Sequence, residues 1–273
     1  MDGSVDLHLH TTYSDGALSP RALVDRARRA GLTTISITDH DHVGGFEEAR
    51  EAGAAVGVEV IPGVELSTNV NGMDIHMLGY FFDHRNPALL AHLSLVRRER
   101  VRRAEKIVEK LNGLRIPLRL ESVLAQAGGG AVGRPHIALA LLEEGLTGSY
   151  HEAFIKYIGA GKPAYEQKHP VSPLEAITLL SSAGGLSFIA HPSPAVDGST
   201  LPGLIHDGIN GIEVVHPSLS PERSTYYRGI VAAYRLLSCG GSDFHGGKRS
   251  DEDALGRFTI SRSDVEMMRK ALP

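Results

Sequence analysis

The spacing of apolar positions changes character twice along the chain. Residues 5–10 (VDLHLH) predict a short strand. Ser19-Pro20 predicts a helix start, with Ser as N-cap and Pro in the first turn, and Ala30-Gly31 predicts its end. The β-branched run at 33–38 (TTISIT) predicts a second strand. A helix at 46–56, a broken strand at 58–66 (VEVIPGVEL) and a strand at 74–82 (DIHMLGYFF) follow.

Between residues 87 and 160 the strand signal disappears. Leu93, Val96, Val101, Ala104, Val108 and Leu111 recur at helical spacing in a long helix over 87–112. Further helices are predicted at 118–127, 135–144 and 151–157. Strand–helix alternation then resumes. It gives helices at 172–184, 201–206, 220–234 and 263–272, and strands at 186–190, 211–215, 235–238 and 258–260. The expected organisation is a barrel part at 1–84, an all-helical insertion at 85–168 and a second barrel part at 169–273. Alternating strands and helices imply a parallel sheet. About seven such units fit a closed or nearly closed α/β barrel, whose site lies at the C-terminal strand ends. A doubly wound open sheet is the alternative.

Composition narrows the function class. At 273 residues, 42% hydrophobic and 22% charged, the chain has ordinary globular composition with length for a full core. A net charge of −4 argues against a basic clamp on duplex nucleic acid. No apolar run reaches the roughly 18 residues that a membrane span needs. The start MDGS lacks a basic, apolar leader, so a cytoplasmic location is expected. The single cysteine, Cys239, excludes an internal disulfide and a Cys-rich zinc site, and reads as a small buried residue.

Histidine is the unusual entry, at 14 residues against 8 Tyr, 7 Phe and no Trp. Its positions carry the chemistry. His8 and His10 end the first predicted strand, and Asp15 follows in the loop. Asp39 and His40 end the second, Glu65 the third, and His76 lies in the fourth. His191 ends the first strand after the helical stretch, and Asp243 and His245 follow the strand near Leu237. In extended backbone, His8 and His10 at i and i+2 face one side, as do Asp243 and His245. A barrel brings its first and last strands together. Imidazole and carboxylate donors at successive strand ends point to a metal centre, whereas one H-x-H pair alone would not. His84, His92, His151, His169 and His206 fall outside the pattern and read as surface groups.

These residues lie in motifs: DLHLH at 6–10, YSDG at 13–16, TDHD at 38–41, GVE at 63–65, His76, AHP at 190–192 and GSDFHG at 241–246. The chain resembles the PHP (polymerase and histidinol phosphatase) phosphoesterases over essentially its whole length. GRPHIA at 133–138, with Ala153, Phe154, Tyr157 and GKPAY at 161–165, resembles the branch of nucleoside 3′,5′-bisphosphate phosphatases and 5′→3′ exoribonucleases.

The resemblance implies a distorted (β/α)7 barrel with two or three divalent ions. His8, His10, Glu65 and Asp243 would hold the first. Glu65 would bridge to a second, with His76 and His191. Asp15, His40 and His245 would hold a third. Asp39 would orient a ligand from behind. Nitrogen and oxygen donors without thiolate suit Mn²⁺, Fe²⁺ or Zn²⁺ without choosing among them. Such a cluster is net positive and attracts phosphate.

Arg134 and His136 are expected to bind the phosphoryl group, and Lys162, Tyr165 and His216 to line the same pocket. His191 is a candidate proton donor to the departing oxygen. Leu219 stands where many relatives carry His. The stretch from Arg97 to Lys106 (RRERVRRAEK) reads as a solvated face, or alternatively as a track for oligonucleotide phosphates. The expected reaction is hydrolysis of a phosphate monoester by metal-bound hydroxide. The expected substrate is the 3′-phosphate of a nucleoside 3′,5′-bisphosphate, or short 5′-phosphorylated RNA. Histidinol phosphate, a non-catalytic metal- or nucleotide-binding role, and C–N bond hydrolysis are the alternatives.

Overall fold

The computed structural model describes residues 4–169, 171–247 and 251–273. Its centre is a seven-stranded sheet in sequence order: β1 (Ser4–Leu9), β2 (Leu32–Ile37), β3 (Glu59–Val70), β4 (Met73–Tyr80), β5 (Leu186–Ile189), β6 (Gly211–Val215) and β7 (Leu237–Gly240). Along β1, Asp6 and His8 fall on one face, and Val5, Leu7 and Leu9 on the other. All five are buried.

The alternation implies a parallel sheet, but the observed sheet is mixed. β1, β2 and β3 run parallel, β4 is antiparallel to both β3 and β5, and β5, β6 and β7 are parallel again. The cause is local. Asn71 and Gly72 adopt φ of 51° and 86°, the left-handed pair of a two-residue hairpin, and they join β3 directly to β4 with Val70 paired to Met73. β3 therefore runs unbroken for 12 residues, and Glu65 sits in its middle rather than at its end.

The sheet closes between its first and last strands through single contacts, not a full ladder. His10 N donates to Phe244 O at 3.0 Å, and Ser242 N donates to Asp6 Oδ1 at 3.0 Å. Gly241 permits the approach, because a Cβ there would lie 2.4 Å from His8 N. This is a distorted α/β barrel.

Helices α1 (Pro20–Arg29) and α2 (Phe46–Val56) follow the first two strands. Ser19 caps α1 as expected, its hydroxyl accepting from Ala22 N. α3 (Pro87–Gly113), α4 (Leu120–Ala127), α5 (Arg134–Glu143) and α6 (Tyr150–Ala153) lie between β4 and β5. The start of α3 packs Leu89 and Leu93 on the barrel, beside Leu180. Its later turns, with Val123, Ile137, Leu141 and Ile158, form a separate apolar cluster. The helix expected at 151–157 is instead the short α6 followed by one π turn at Phe154–Ile158, in which Gly159 N reaches Phe154 O at 3.0 Å.

α7 (Pro173–Ser182), α8 (Thr200–His206), α9 (Pro221–Tyr234) and α10 (Arg262–Lys270) complete the outer layer. Two strand expectations shift. Arg235 closes α9 in a left-handed cap at φ 56°, so β7 begins at Leu237. Ile260 makes a single antiparallel bridge to Val5, because Ser261 immediately caps α10. Among the described residues, no helix is long and apolar enough to cross a membrane.

Candidate metal centre and substrate cleft

One carboxylate, Glu65, organises the donors. Its Oε2 lies 3.4 Å from His8 Nε2, 3.3 Å from His10 Nε2 and 3.0 Å from His40 Nδ1. Its Oε1 lies 2.7 Å from His76 Nδ1 and 3.0 Å from His191 Nε2. The two oxygens thus divide five imidazoles into two sets. Asp243 Oδ1 adds contacts of 3.3 Å to His8 and 3.0 Å to His10. Asp15 Oδ1 lies 3.4 Å from His245 and 3.9 Å from both His10 and His40.

Donor atoms within 4.8 Å of one another form the sets His8–His10–Glu65–Asp243, His10–Asp15–His40–His245 and His40–Glu65–His76. Eight of the nine expected ligand positions fall in these sets, and His191 joins them through Glu65 Oε1 at 3.0 Å. His10 and His40 each face two sets, one nitrogen to each.

The donor geometry fits cations. Among the described residues, His10 Nε2, His40 Nδ1 and His245 Nε2 are buried without a hydrogen-bond partner. Yet carboxylate oxygens lie 3.0, 3.0 and 3.4 Å away. Nitrogen and oxygen lone pairs aim at shared points instead of at each other, as ligands of one ion do.

Electrostatics agree. Burial alone would lower His8, but Glu213, Asp243 and Glu65 outweigh it and hold the imidazole well above its ordinary value. His10 is likewise pushed up to about 9 against burial, by Asp243 and Glu65. Burial would raise Glu65, but His40, His76 and His8 hold it well below the carboxylate range.

Backbone strain marks the same place. Asp41, His191 and Asp243 adopt φ of 49°, 26° and 50°, and such left-handed non-glycine residues gather at functional sites.

Supporting contacts hold the ligands. Glu213, in β6, was not singled out in the sequence. It is fully buried, with Oε1 2.9 Å from His8 Nδ1 and Oε2 accepting from His191 N at 2.6 Å. An acid inside an otherwise apolar strand (GIEVV) was the available signal. Asp39 acts through a loop: it accepts from Thr11 N at 2.8 Å and Ser14 Oγ at 2.5 Å, and Ser14 Oγ lies 3.3 Å from His10 Nδ1.

Asp15, His40, Glu65, His76, His191 and Asp243 line a cleft of about 530 Å³. Arg134 lines it as expected, and so does His216. Ser218 N donates to His216 Nδ1 at 3.0 Å, so the neutral ring carries its proton on Nε2, 3.4 Å from Asp243 Oδ2. Leu219 packs against the barrel cluster.

Three expectations differ. His136 is buried beneath the wall, not on it. Gly133 N donates to its Nδ1 at 3.0 Å and its Nε2 reaches Ser14 O at 3.1 Å, so it ties the start of α5 to the Asp15 loop. Lys162 is exposed and is not among the lining residues. Tyr165 lies behind the wall, its ring 5.6 Å from the Arg134 guanidinium and 5.9 Å from that of Arg103. It steadies those cations. Conversely, His151, expected as a surface group, lines the cleft while remaining exposed.

The basic stretch of α3 divides by helical face. Arg98 and Arg102 point outward to Ser94 and Glu99. Lys106 pairs with Glu166 at 3.2 Å. Arg100 and Arg103, one turn apart, line the cleft together with Lys168. Arg100 is committed to Asp41, its Nε donating to Oδ2 at 2.7 Å. Arg103 Nε donates to Glu166 O at 2.8 Å, whereas its Nη2 is buried without a hydrogen-bond partner among the described residues. Lys168 Nζ lies 3.0 Å from His76 Nε2 and 3.4 Å from Asp74 Oδ2. Burial, with Arg100 and Arg103 nearby, lowers it to about 8 despite Asp74.

Comparison with known proteins places this geometry. The model of the PHP domain family matches residues 6–169. A 5′-3′ exoribonuclease of Haemophilus influenzae is 36% identical over 250 residues, covering 90% of this chain and 91% of its own. A 3′,5′-nucleoside bisphosphate phosphatase of Chromobacterium violaceum is 33% identical, covering 89% of this chain and 87% of its own. The crystal structure of a protein assigned as a metal-dependent phosphoesterase, from Bifidobacterium adolescentis, superposes with a TM-score of 0.89 at 32% identity. The match spans 97% of this chain and 94% of that one.

Proposed function

We propose a substrate for a chain that belongs to the PHP domain family and is a metal-dependent phosphoric ester hydrolase. The substrate is a nucleoside 3′,5′-bisphosphate, which loses its 3′-phosphate. Short 5′-phosphorylated RNA is a second substrate of the same cleft. One observation carries the reading: a single cleft is lined by two sets of groups that attract anions, the donor cluster around Glu65 and the cations Arg103, Arg134 and Lys168. A molecule with two phosphates uses both.

His8, His10, Glu65 and Asp243 would hold one ion, and Glu65, His76 and His191 a second. Asp15, His40 and His245 would hold a third. Mn²⁺, Fe²⁺ and Zn²⁺ all suit these donors. Bound divalent ions supply Lewis acidity towards the phosphoryl oxygens and a nucleophilic water at neutral pH.

The chain's own groups do the rest. Arg103 offers its spare Nη2–H to the phosphate that is not cleaved. Arg134, steadied by Tyr165, offers a planar fork to the same group. His216 offers Nε2–H on the Asp243 side of the cleft. Glu213 fixes the His8 ring and the His191 backbone, so the ligands do not need to reorganise as charge develops.

The same cations disfavour histidinol phosphate, which has one phosphate and brings an ammonium group of its own towards them. A neutral amide leaves those cations unused. The test is phosphate release from adenosine 3′,5′-bisphosphate, adenosine 3′-monophosphate and histidinol phosphate, each with Mn²⁺. The reading expects the bisphosphate to have the highest kcat/KM by at least tenfold. Equal turnover of the three, or none of the bisphosphate, overturns it.

A further inference from the structure

The cleft wall includes aromatic side chains that no step of the reaction uses. Tyr150, His151 and Phe154 line it together with the cations and the donor cluster. They come from α6 and the π turn that follows. Ser149 Oγ accepts from Glu152 N at 3.1 Å and fixes the start of α6. A π turn widens the helix and changes which side chains face outward, and such single turns collect at functional places.

The rings form one surface. The Tyr150 and Phe154 centroids lie 5.2 Å apart at 49°, and those of Tyr150 and His151 6.0 Å apart. Behind them, Tyr150 and Phe154 pack on the helical cluster. That packing explains their apolar character, though not their presence in the cleft wall. On its inner side, Phe154 meets Arg134, whose guanidinium lies 6.0 Å from the ring centroid. Phe154 therefore adjoins one of the cleft cations, Arg134. A phosphorylated ribose held by Arg134 has its base within reach of the same rings.

We infer that Phe154 and Tyr150 form a stacking shelf for the nucleobase of the substrate, which rests on the nucleotide reading above. Aromatic faces stack on every base, and a shelf without a fixed set of polar contacts does not read base identity. Purines, with the larger face, bind more tightly than pyrimidines. A base-free sugar phosphate loses the contact entirely.

The test is calorimetric binding to the Mn²⁺-loaded protein, which needs no turnover. Adenosine 5′-monophosphate is compared with ribose 5-phosphate, in wild type and in the Phe154→Leu and Tyr150→Leu variants, which keep apolar bulk on the helical cluster. The shelf expects the nucleotide to bind wild type about tenfold more tightly than the sugar phosphate, within the range for one stacked base. It also expects each variant to lose most of that advantage while ribose 5-phosphate binding stays unchanged. Equal binding of the two ligands to wild type overturns the shelf even if a variant fails to fold. An advantage that survives in both variants also overturns it. Phosphate release from adenosine 3′,5′-bisphosphate is measured alongside. A base preference without release upholds the shelf and removes the bisphosphate as substrate.

Discussion

Glu213 Oε1 lies 2.9 Å from His8 Nδ1, on the side of the ring opposite the Glu65 contact. Its second oxygen accepts from the His191 backbone. One buried acid therefore sets the orientation of a ligand on β1 and of another after β5. Glu213→Gln keeps the shape and removes the charge. It is expected to weaken Mn²⁺ binding about 10- to 100-fold, as loss of such supporting partners does. Metal titration followed by activity checks this, and unchanged affinity would remove Glu213 from the centre.

The buried carboxylates also make stability depend on cations. Chelation is expected to lower the thermal midpoint and Mn²⁺ to restore it in a concentration-dependent way. A ligand that binds only the folded state adds about 2.7 kcal/mol at a hundred times its dissociation constant. Differential scanning calorimetry with EDTA and with graded Mn²⁺ reads this directly. A midpoint indifferent to both would contradict the proposed ion sites.

Arg103 tests the cleft cations. Its Nη2 is buried with no hydrogen-bond partner among the described residues, and the proposed function gives it the uncleaved phosphate as acceptor. Arg103→Gln is expected to raise KM for adenosine 3′,5′-bisphosphate by ten- to a hundredfold, the value of one charge-assisted hydrogen bond at about 1.5–3 kcal/mol. KM for adenosine 3′-monophosphate should scarcely change. Equal losses on both substrates would place Arg103 at the reacting phosphate instead.

Alkaline pH tests a buried tyrosine that touches the backbone just after His191. Tyr227 is buried on α9, its hydroxyl donating to Asp197 Oδ1 at 2.9 Å. Burial first, then Asp197, pushes it up to about 12. The folded protein keeps this proton between pH 10 and 12, where the unfolded chain loses it. Stability is thus unaffected below pH 10 and falls as pH rises through that window, by roughly 2 kcal/mol. Urea midpoints from pH 8 to 11 should show the decline, and Tyr227→Phe should flatten it.

The strand-end histidines were legible because strand geometry is periodic: His8 and His10 must share a face, and barrel closure brings Asp243 to them. Glu213 was not, because a lone acid in GIEVV has its partners 205 and 22 residues away. The basic stretch of α3 was visible as charge, but only packing shows that Arg100 and Arg103 turn inward while Arg98 and Arg102 turn out. The hairpin at Asn71-Gly72 carried its own turn signal, yet strand–helix alternation elsewhere favoured a wholly parallel sheet. His136 was misread as a substrate contact because GRPHIA does not say which side of α5 faces the cleft, and the ring is occupied by Gly133 and Ser14.

The direct measurement is anomalous X-ray scattering from crystals grown with Mn²⁺. The account predicts two or three peaks around Glu65, the pair it bridges roughly 3.5–4 Å apart. Peaks elsewhere on the molecule, with none within bonding distance of the Glu65 oxygens, would contradict it.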